Sequence, residues 1–146
     1  MGQIDTTRHP GCELCEQPGG ELVARNAELR VVRVSDALYP GFYRVIWNEH
    51  VAEFSDLSQA QRGRCMDAVA LVESLMRMHL QPLKMNLATL GNMVPHLHWH
   101  LIARYREDPH FPHPIWGTQQ REAPTDPPID PAKLVELDGQ IRLSLT

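Results

Sequence analysis

The sequence predicts an α+β domain: an antiparallel sheet of about five strands, one long helix, and a proline-rich C-terminal arm ending in a short helix. Three observations carry this. Short apolar runs separated by turn residues occupy the first third of the chain, and a single stripe at helical spacing fills the middle. An alternating run then follows, Val94-Pro95-His96-Leu97-His98-Trp99-His100-Leu101-Ile102. A strand projects residues i, i+2 and i+4 from one face. His96, His98 and His100 are therefore expected in a row, with Leu97, Trp99 and Leu101 turned into a core.

The elements follow in order. Cys12 and Cys15 form a C-x-x-C turn, and Pro18-Gly19-Gly20 breaks the chain after it. Glu21 to Arg25, Leu29 to Val34 and Phe42 to Trp47 read as three antiparallel strands, joined by turns at Asn26 to Glu28 and around Pro40-Gly41. Between Asp56 and Leu80 the period changes: Cys65, Val69, Val72 and Met76 step by four, three and four, with Ala68 and Leu75 widening the stripe. Ser58 followed by Gln61 resembles a capping box. On this stripe Cys65 is expected to be a buried, unreactive thiol. Pro82 ends the helix, Lys84 to Leu90 reads as a strand, and Gly91-Asn92 supplies the turn into the histidine strand. Seven of the twelve prolines fall between Pro109 and Pro131, which rules out regular sheet or helix there and suggests a lid or arm. Leu134, Leu137 and Ile141 recur at helical spacing, so a final helix is expected from Pro131 to about Leu143.

Residues 1–146 suit one domain, with a core at about residues 12–105 and an arm at about 106–146. Hydrophobic residues make up 42% and charged residues 22%, an ordinary globular balance. A formal charge of −4 argues against a surface that coats nucleic acid, and any phosphate chemistry must then be local. No apolar run is long enough to span a bilayer, and Met1 to His9 shows no signal-peptide pattern. The expected location is the cytoplasm. Three cysteines do not make a paired disulfide framework, and the C-x-x-C reads as metal or redox in a reducing compartment.

Three explanations fit a strand face of three histidines. It could be a solvated polar face. It could be a metal centre, with Cys12, Cys15 and His50 completing a tetrahedron. Or it could be a site of nucleophilic or acid/base catalysis in which one imidazole attacks and its neighbours orient it. The last two are compatible, since three histidines can serve two tasks. Asp36 is a candidate ribose contact, Arg104 and Arg106 are candidates to attract polyphosphate, and Trp116 is a candidate cover for the site. His110 and His113 read as loop residues.

Asn86 to Arg104, with Gly91-Asn92 ahead of His96-Leu97-His98-Trp99-His100-Leu101-Ile102, resembles the signature of the histidine triad (HIT) family of nucleotide hydrolases and transferases, including bacterial diadenosine polyphosphate hydrolase-like members. Upstream, Pro40-Gly41-x-x-x-Val45-Ile46-x-x-x-His50 resembles the family's strand leading into a histidine, and Cys12-x-x-Cys15 resembles the amino-terminal pair of its zinc-bearing members. The resemblance spans roughly Cys12 to Arg104.

It implies an enzyme that hydrolyses or transfers a nucleotide at the α-phosphorus of dinucleoside polyphosphates or AMP conjugates. His98 would be the nucleophile, with His100 and His96 beside it, and the intermediate a nucleotidyl-histidine. In the family the main-chain carbonyl of the third histidine, here His100, holds the nucleophile's tautomer. Asn86 and the turn Gly91, Asn92 and Met93 would bind the phosphate. Cys12, Cys15, His50 and His96 would hold a structural zinc, magnesium would arrive with a polyphosphate substrate, and the assembly would be a homodimer. Two positions depart from the family pattern. Phe42 stands where a fourth imidazole is frequent, and Met93 stands where many members have Ser or Thr and cannot donate a proton to a leaving group. The alternative is a nucleotide-binding or zinc-stabilised interaction module with little turnover. A metalloenzyme using all three histidines is a third reading, weakened because no carboxylate lies near the triad to act as base.

Overall fold

The computed structural model describes residues 8–126 and 128–146; most of the stretch Met1 to His9, where no signal peptide was read, lies outside them. Five strands form one antiparallel sheet: β1 (Glu21–Arg25), β2 (Leu29–Arg33), β3 (Phe42–Trp47), β4 (Lys84–Ala88) and β5 (His98–Arg104), in the spatial order β1-β2-β3-β5-β4. A short turn of helix, α1 (Glu13–Glu16), precedes the sheet, α2 (Gln59–Leu80) crosses between β3 and β4, and α3 (Pro131–Ser144) ends the chain. The α+β class and the three early strands match the sequence expectation.

Local chemistry explains the helix ends. Ser58 Oγ accepts from the Gln61 amide at 3.2 Å while Gln61 Oε1 accepts from the Ser58 amide at 2.9 Å, the reciprocal box read from the sequence. Gln81 closes α2 in the left-handed region at φ 48°, directly before Pro82. At α3, Asp130 caps the Ala132 amide and Pro131 opens the first turn, where its missing N–H costs nothing.

Each face of the sheet has its own covering. Leu29, Val31, Tyr43, Val45, Trp47, Leu101 and Ala103 face α2 and α3 and share one core with Val72, Met76, Leu137 and Ile141. Cys65 lies in that core at 1% exposure, and burial pushes its thiol up to about 11. On the opposite face, Val32 and Ile46 meet Leu14 of the amino-terminal segment. Tyr39, Phe42 and Ile102 meet Ile115 of the proline-rich arm. The histidine face is thus roofed from both sides by chain that is not sheet.

The histidine strand starts later than the alternation suggests. Ladder pairing begins at His98 and ends at Arg104, and β4 stops at Ala88, so residues 89–97 form a long connection rather than a tight turn. Pro95 has no amide to give a ladder, and the His96 amide turns back to the Val94 carbonyl at 2.8 Å. Leu97, by contrast, bonds Val51 and Trp47 through its main chain, which anchors the connection to the end of β3.

The arm is held by a buried ion pair. Arg104, by sequence a candidate to attract polyphosphate, is 1% exposed and bound to Asp108, Asn86 and the His113 carbonyl. The rings of Tyr39 and Phe111 lie 5.8 and 5.7 Å from its guanidinium carbon. Asp108 also accepts from the Tyr105, His110 and Phe111 amides, and Arg104 beside it helps hold its carboxyl below the usual range against the opposing effect of burial. Every nitrogen of Arg104 is occupied, so none is left for a ligand. Asp36 is likewise engaged locally, accepting from the Leu38 and Tyr39 amides in a turn.

Candidate active site and metal centre

Residues directly opposite in an antiparallel ladder share a face, so the pairs Ile46–His98, Arg44–His100 and Phe42–Ile102 set the histidines against β3. His98 and His100 are 7% and 6% exposed, with ring centroids 4.9 Å apart and planes at 85°. Phe42 meets His100 edge-on at 5.6 Å, and Trp116 of the arm also packs against it at 5.1 Å. A cavity of about 290 Å³ opens here, lined by Arg44, Leu90 to Val94, His98, His100 and Trp116.

His98 has one assigned nitrogen and one free. Its Nδ1 lies 2.6 Å from the main-chain carbonyl of His96, and a carbonyl can only accept, so Nδ1 carries the proton. Nε2 is left with an in-plane lone pair. This corrects the expectation that the His100 carbonyl plays this part. His100 sits inside the ladder between Arg44 and Ala88, whereas His96 lies ahead of it and its carbonyl is free to turn toward the ring. Burial lowers the His98 pKa, the bond to His96 partly opposes that, and the charge of Arg44 lowers it further.

Burial pulls His100 down to about 4, with smaller contributions from His98 and Arg44. The unfolded chain regains the ordinary imidazole value of about 6.5. Between those values the unfolded state binds a proton that the folded state refuses, so stability is full above about pH 6.5 and falls as the pH drops toward 4. Thermal melting across that window is expected to show the loss, and His100→Asn to reduce it, the remainder coming from the other buried imidazoles.

His96 faces away from the cavity and toward the amino-terminal segment. Its Nε2 donates to the Trp47 carbonyl at 2.6 Å, which leaves Nδ1 unprotonated, 3.4 Å from Cys12 Sγ and 3.5 Å from Cys15 Sγ. His50 Nδ1 lies 3.4 Å from Cys15 Sγ. The four ligand atoms of Cys12, Cys15, His50 and His96 lie within 4.8 Å of one another, a group that could hold one metal ion. His9 stacks on His50 at 4.1 Å, and its amide donates to Cys15 Sγ at 3.3 Å. Among the described residues no other such group of ligands occurs.

Comparison with known proteins agrees with this geometry. A family model, the HIT domain, matches residues 17–107.

The chain belongs to the HIT family.

A histidine triad protein from Bradyrhizobium japonicum is 26% identical, with a TM-score of 0.68 over 86% of this chain and 92% of its own. One from Marinobacter aquaeolei is 24% identical, with a TM-score of 0.70 over 88% and 93%. A third, from Sinorhizobium meliloti, is 21% identical with a TM-score of 0.68 over 88% and 91%. No curated protein matches. HIT membership points to nucleotide binding with hydrolase or transferase chemistry. No helix among the described residues is long and apolar enough to cross a membrane.

Within this HIT domain the triad divides, His98 and His100 toward the cavity and His96 toward the cysteines. Gly91, Asn92 and Met93 line the cavity, and Gly91 takes φ 77°, a backbone that suits glycine. Met93 is 94% exposed. Asn86 shares the histidine face, but its Oδ1 accepts from Arg104 at 2.7 Å and it does not line the cavity. Sequence reasoning missed Arg44. The available signal was its alternation with Phe42 and Ile46, which puts one charge on an otherwise apolar face of β3.

Proposed function

We propose that this HIT protein hydrolyses or transfers a nucleotide at its α-phosphorus through a covalent nucleotidyl-His98. The observation that carries the reading is the 2.6 Å bond from His98 Nδ1–H to the His96 carbonyl, which leaves Nε2 unprotonated beside the cavity. Nε2 would attack the α-phosphorus, forming the N–P bond as the P–O bond to the departing group breaks and its electron pair leaves on oxygen. Nδ1 keeps its proton, and the His96 carbonyl dipole stabilises the resulting imidazolium. Water then cleaves the N–P bond, placing its oxygen on phosphorus, releasing one proton to solvent and returning neutral His98.

Met93 offers the departing oxygen no proton, which favours a leaving group that is stable as an anion. A dinucleoside polyphosphate meets that condition, and adenine is the base we assign. Magnesium, where present, would come with the phosphates. We further propose a homodimer, supported by the free edge of β4 and the exposed apolar side chains of Leu87 and Leu90 near it, and a cytoplasmic setting, consistent with Cys12, Cys15 and Cys65 standing outside any disulfide.

For the metal we propose structural zinc on Cys12, Cys15, His50 and His96. Zinc–sulfur bonds of about 2.3 Å and zinc–nitrogen bonds of about 2.0–2.1 Å at tetrahedral angles put sulfur and nitrogen about 3.5 Å apart. The three sulfur–nitrogen distances of 3.4, 3.4 and 3.5 Å fit that value. Bound there, zinc would supply a crosslink and hold both thiolates deprotonated. Two thiolates and two imidazoles fill the tetrahedron.

The test is intact-mass analysis after brief incubation with diadenosine tetraphosphate and an alkaline quench, which preserves a phosphoramidate. An added AMP on the wild type, absent from His98→Ala, is the expected result. Tight nucleotide binding with neither adduct nor product would favour the interaction module, the reading to which Met93 and Phe42 lend weight.

A further inference from the structure

Besides the exposed Arg25, the histidine face carries three arginines, and two of those three are fully engaged. Arg104 spends every nitrogen on Asp108, Asn86 and His113, and Arg30 spends every nitrogen on the Pro18, Leu14 and Gln17 carbonyls and on Asn48. Arg44 differs. Its Nη1 donates to the Gly19 carbonyl at 3.0 Å, but its Nε is buried with no partner, and among the described residues no carboxylate pairs with it. His100 Nδ1 is the other orphaned nitrogen on this face. The two side chains stand opposite each other in the β3–β5 ladder and line the same cavity as His98.

A buried donor on a cation with no acceptor is costly, and the cost is removed when an anion arrives. The Phe42 ring, 5.7 Å from the Arg44 guanidinium carbon, and the Gly19 carbonyl hold the group in place before substrate binds. We infer that Arg44 is a catalytic residue that donates from its guanidinium to a non-bridging oxygen of the phosphorus attacked by His98, with His100 as its neighbour on that phosphoryl group. The inference rests on the reaction proposed above. Charge spreads onto the non-bridging oxygens as Nε2 approaches, and a fixed cation there lowers the barrier without any proton moving. It also supplies part of the electrostatic help that Phe42 and Met93 cannot.

The test uses diadenosine tetraphosphate and its analogues with sulfur on both α-phosphorus atoms, in all-Rp and all-Sp forms. Sulfur in place of the oxygen that Arg44 holds weakens that contact in one diastereomer only. The wild type is expected to discriminate between the two. Arg44→Met is expected to lower kcat on the all-oxygen substrate about 10²–10³-fold, with a much smaller change in KM, and to bring the Rp/Sp ratio toward one. Arg44→Lys is expected to recover part of kcat, because it keeps the charge but not the planar donor. An Arg44→Met enzyme that loses activity on both diastereomers equally, with the ratio preserved, would mean that Arg44 only braces the Gly19 loop. If the Met variant does not fold, an unchanged ratio in Arg44→Lys overturns the inference equally. A wild type that turns over none of these compounds overturns the hydrolase reading and the role of Arg44 together, whereas turnover with an unmoved ratio overturns only the latter.

Discussion

His98→Gly is expected to lower turnover of diadenosine tetraphosphate at least about 10⁴-fold, the scale on which removing a covalent nucleophile acts. No second group in the cavity can replace it. His100 is buried beside it, but no acceptor orients its ring, and Arg44 donates only. The glycine variant leaves a ring-sized space, so millimolar imidazole is expected to restore part of the rate by attacking the α-phosphorus from solution. His98→Asn separates chemistry from packing. Its side-chain amide can still donate to the His96 carbonyl, so its melting temperature is expected to stay near that of the wild type while the rate loss matches that of the glycine variant. Full hydrolysis by either variant would remove His98 from the mechanism.

Metal removal is expected to have the largest effect on stability. A strong chelator, or Cys15→Ser, should lower the melting temperature by about 10 °C or more. A ligand at about 1,000 times its Kd stabilises by about 4 kcal/mol, and each kcal/mol moves the midpoint of a domain of this size by about 2–4 °C. The loss should also reach the active site. Cys12 and Cys15 hold the segment that lays Leu14 on Val32 and Ile46, and His96 presents both a metal-facing Nδ1 and the carbonyl that orients His98. Chelation is therefore expected to reduce kcat without any metal touching substrate. Elemental analysis should find about one zinc per chain. A metal-free protein whose melting curve does not respond to chelator would show that Cys12 and Cys15 are plain thiols.

The elements most legible in the sequence were those with a single local cause. The stripe of α2 and its Ser58–Gln61 box, the start of α3 at Pro131, and the early strands follow from spacing and turn residues alone. The start of β5 was less legible because alternation continues through Val94 and His96, while Pro95 interrupts the ladder that alternation implies. Arg44 escaped notice for a related reason. A lone charge in an apolar strand reads as solvated until the roof over that face is known. Arg104 shows the converse, a cation read as available that Asp108, Tyr39 and Phe111 enclose completely.

By itself the sequence determined the α+β class and the grouping of three imidazoles in one segment, which follow from periods of two and 3.6 residues that act over a few neighbours. The set Cys12, Cys15, His50 and His96 is what the resemblance to the HIT family implies. Only the tertiary structure decided which nitrogen of each ring is free. Trp47 fixes His96, the His96 carbonyl fixes His98, and the pairing of β3 with β5 sets an unpartnered Arg44 opposite His100. A proton's position depends on whichever acceptor the fold brings within about 3 Å. For His96 that acceptor is contributed by a residue 49 positions away, a distance over which sequence periodicity carries no information.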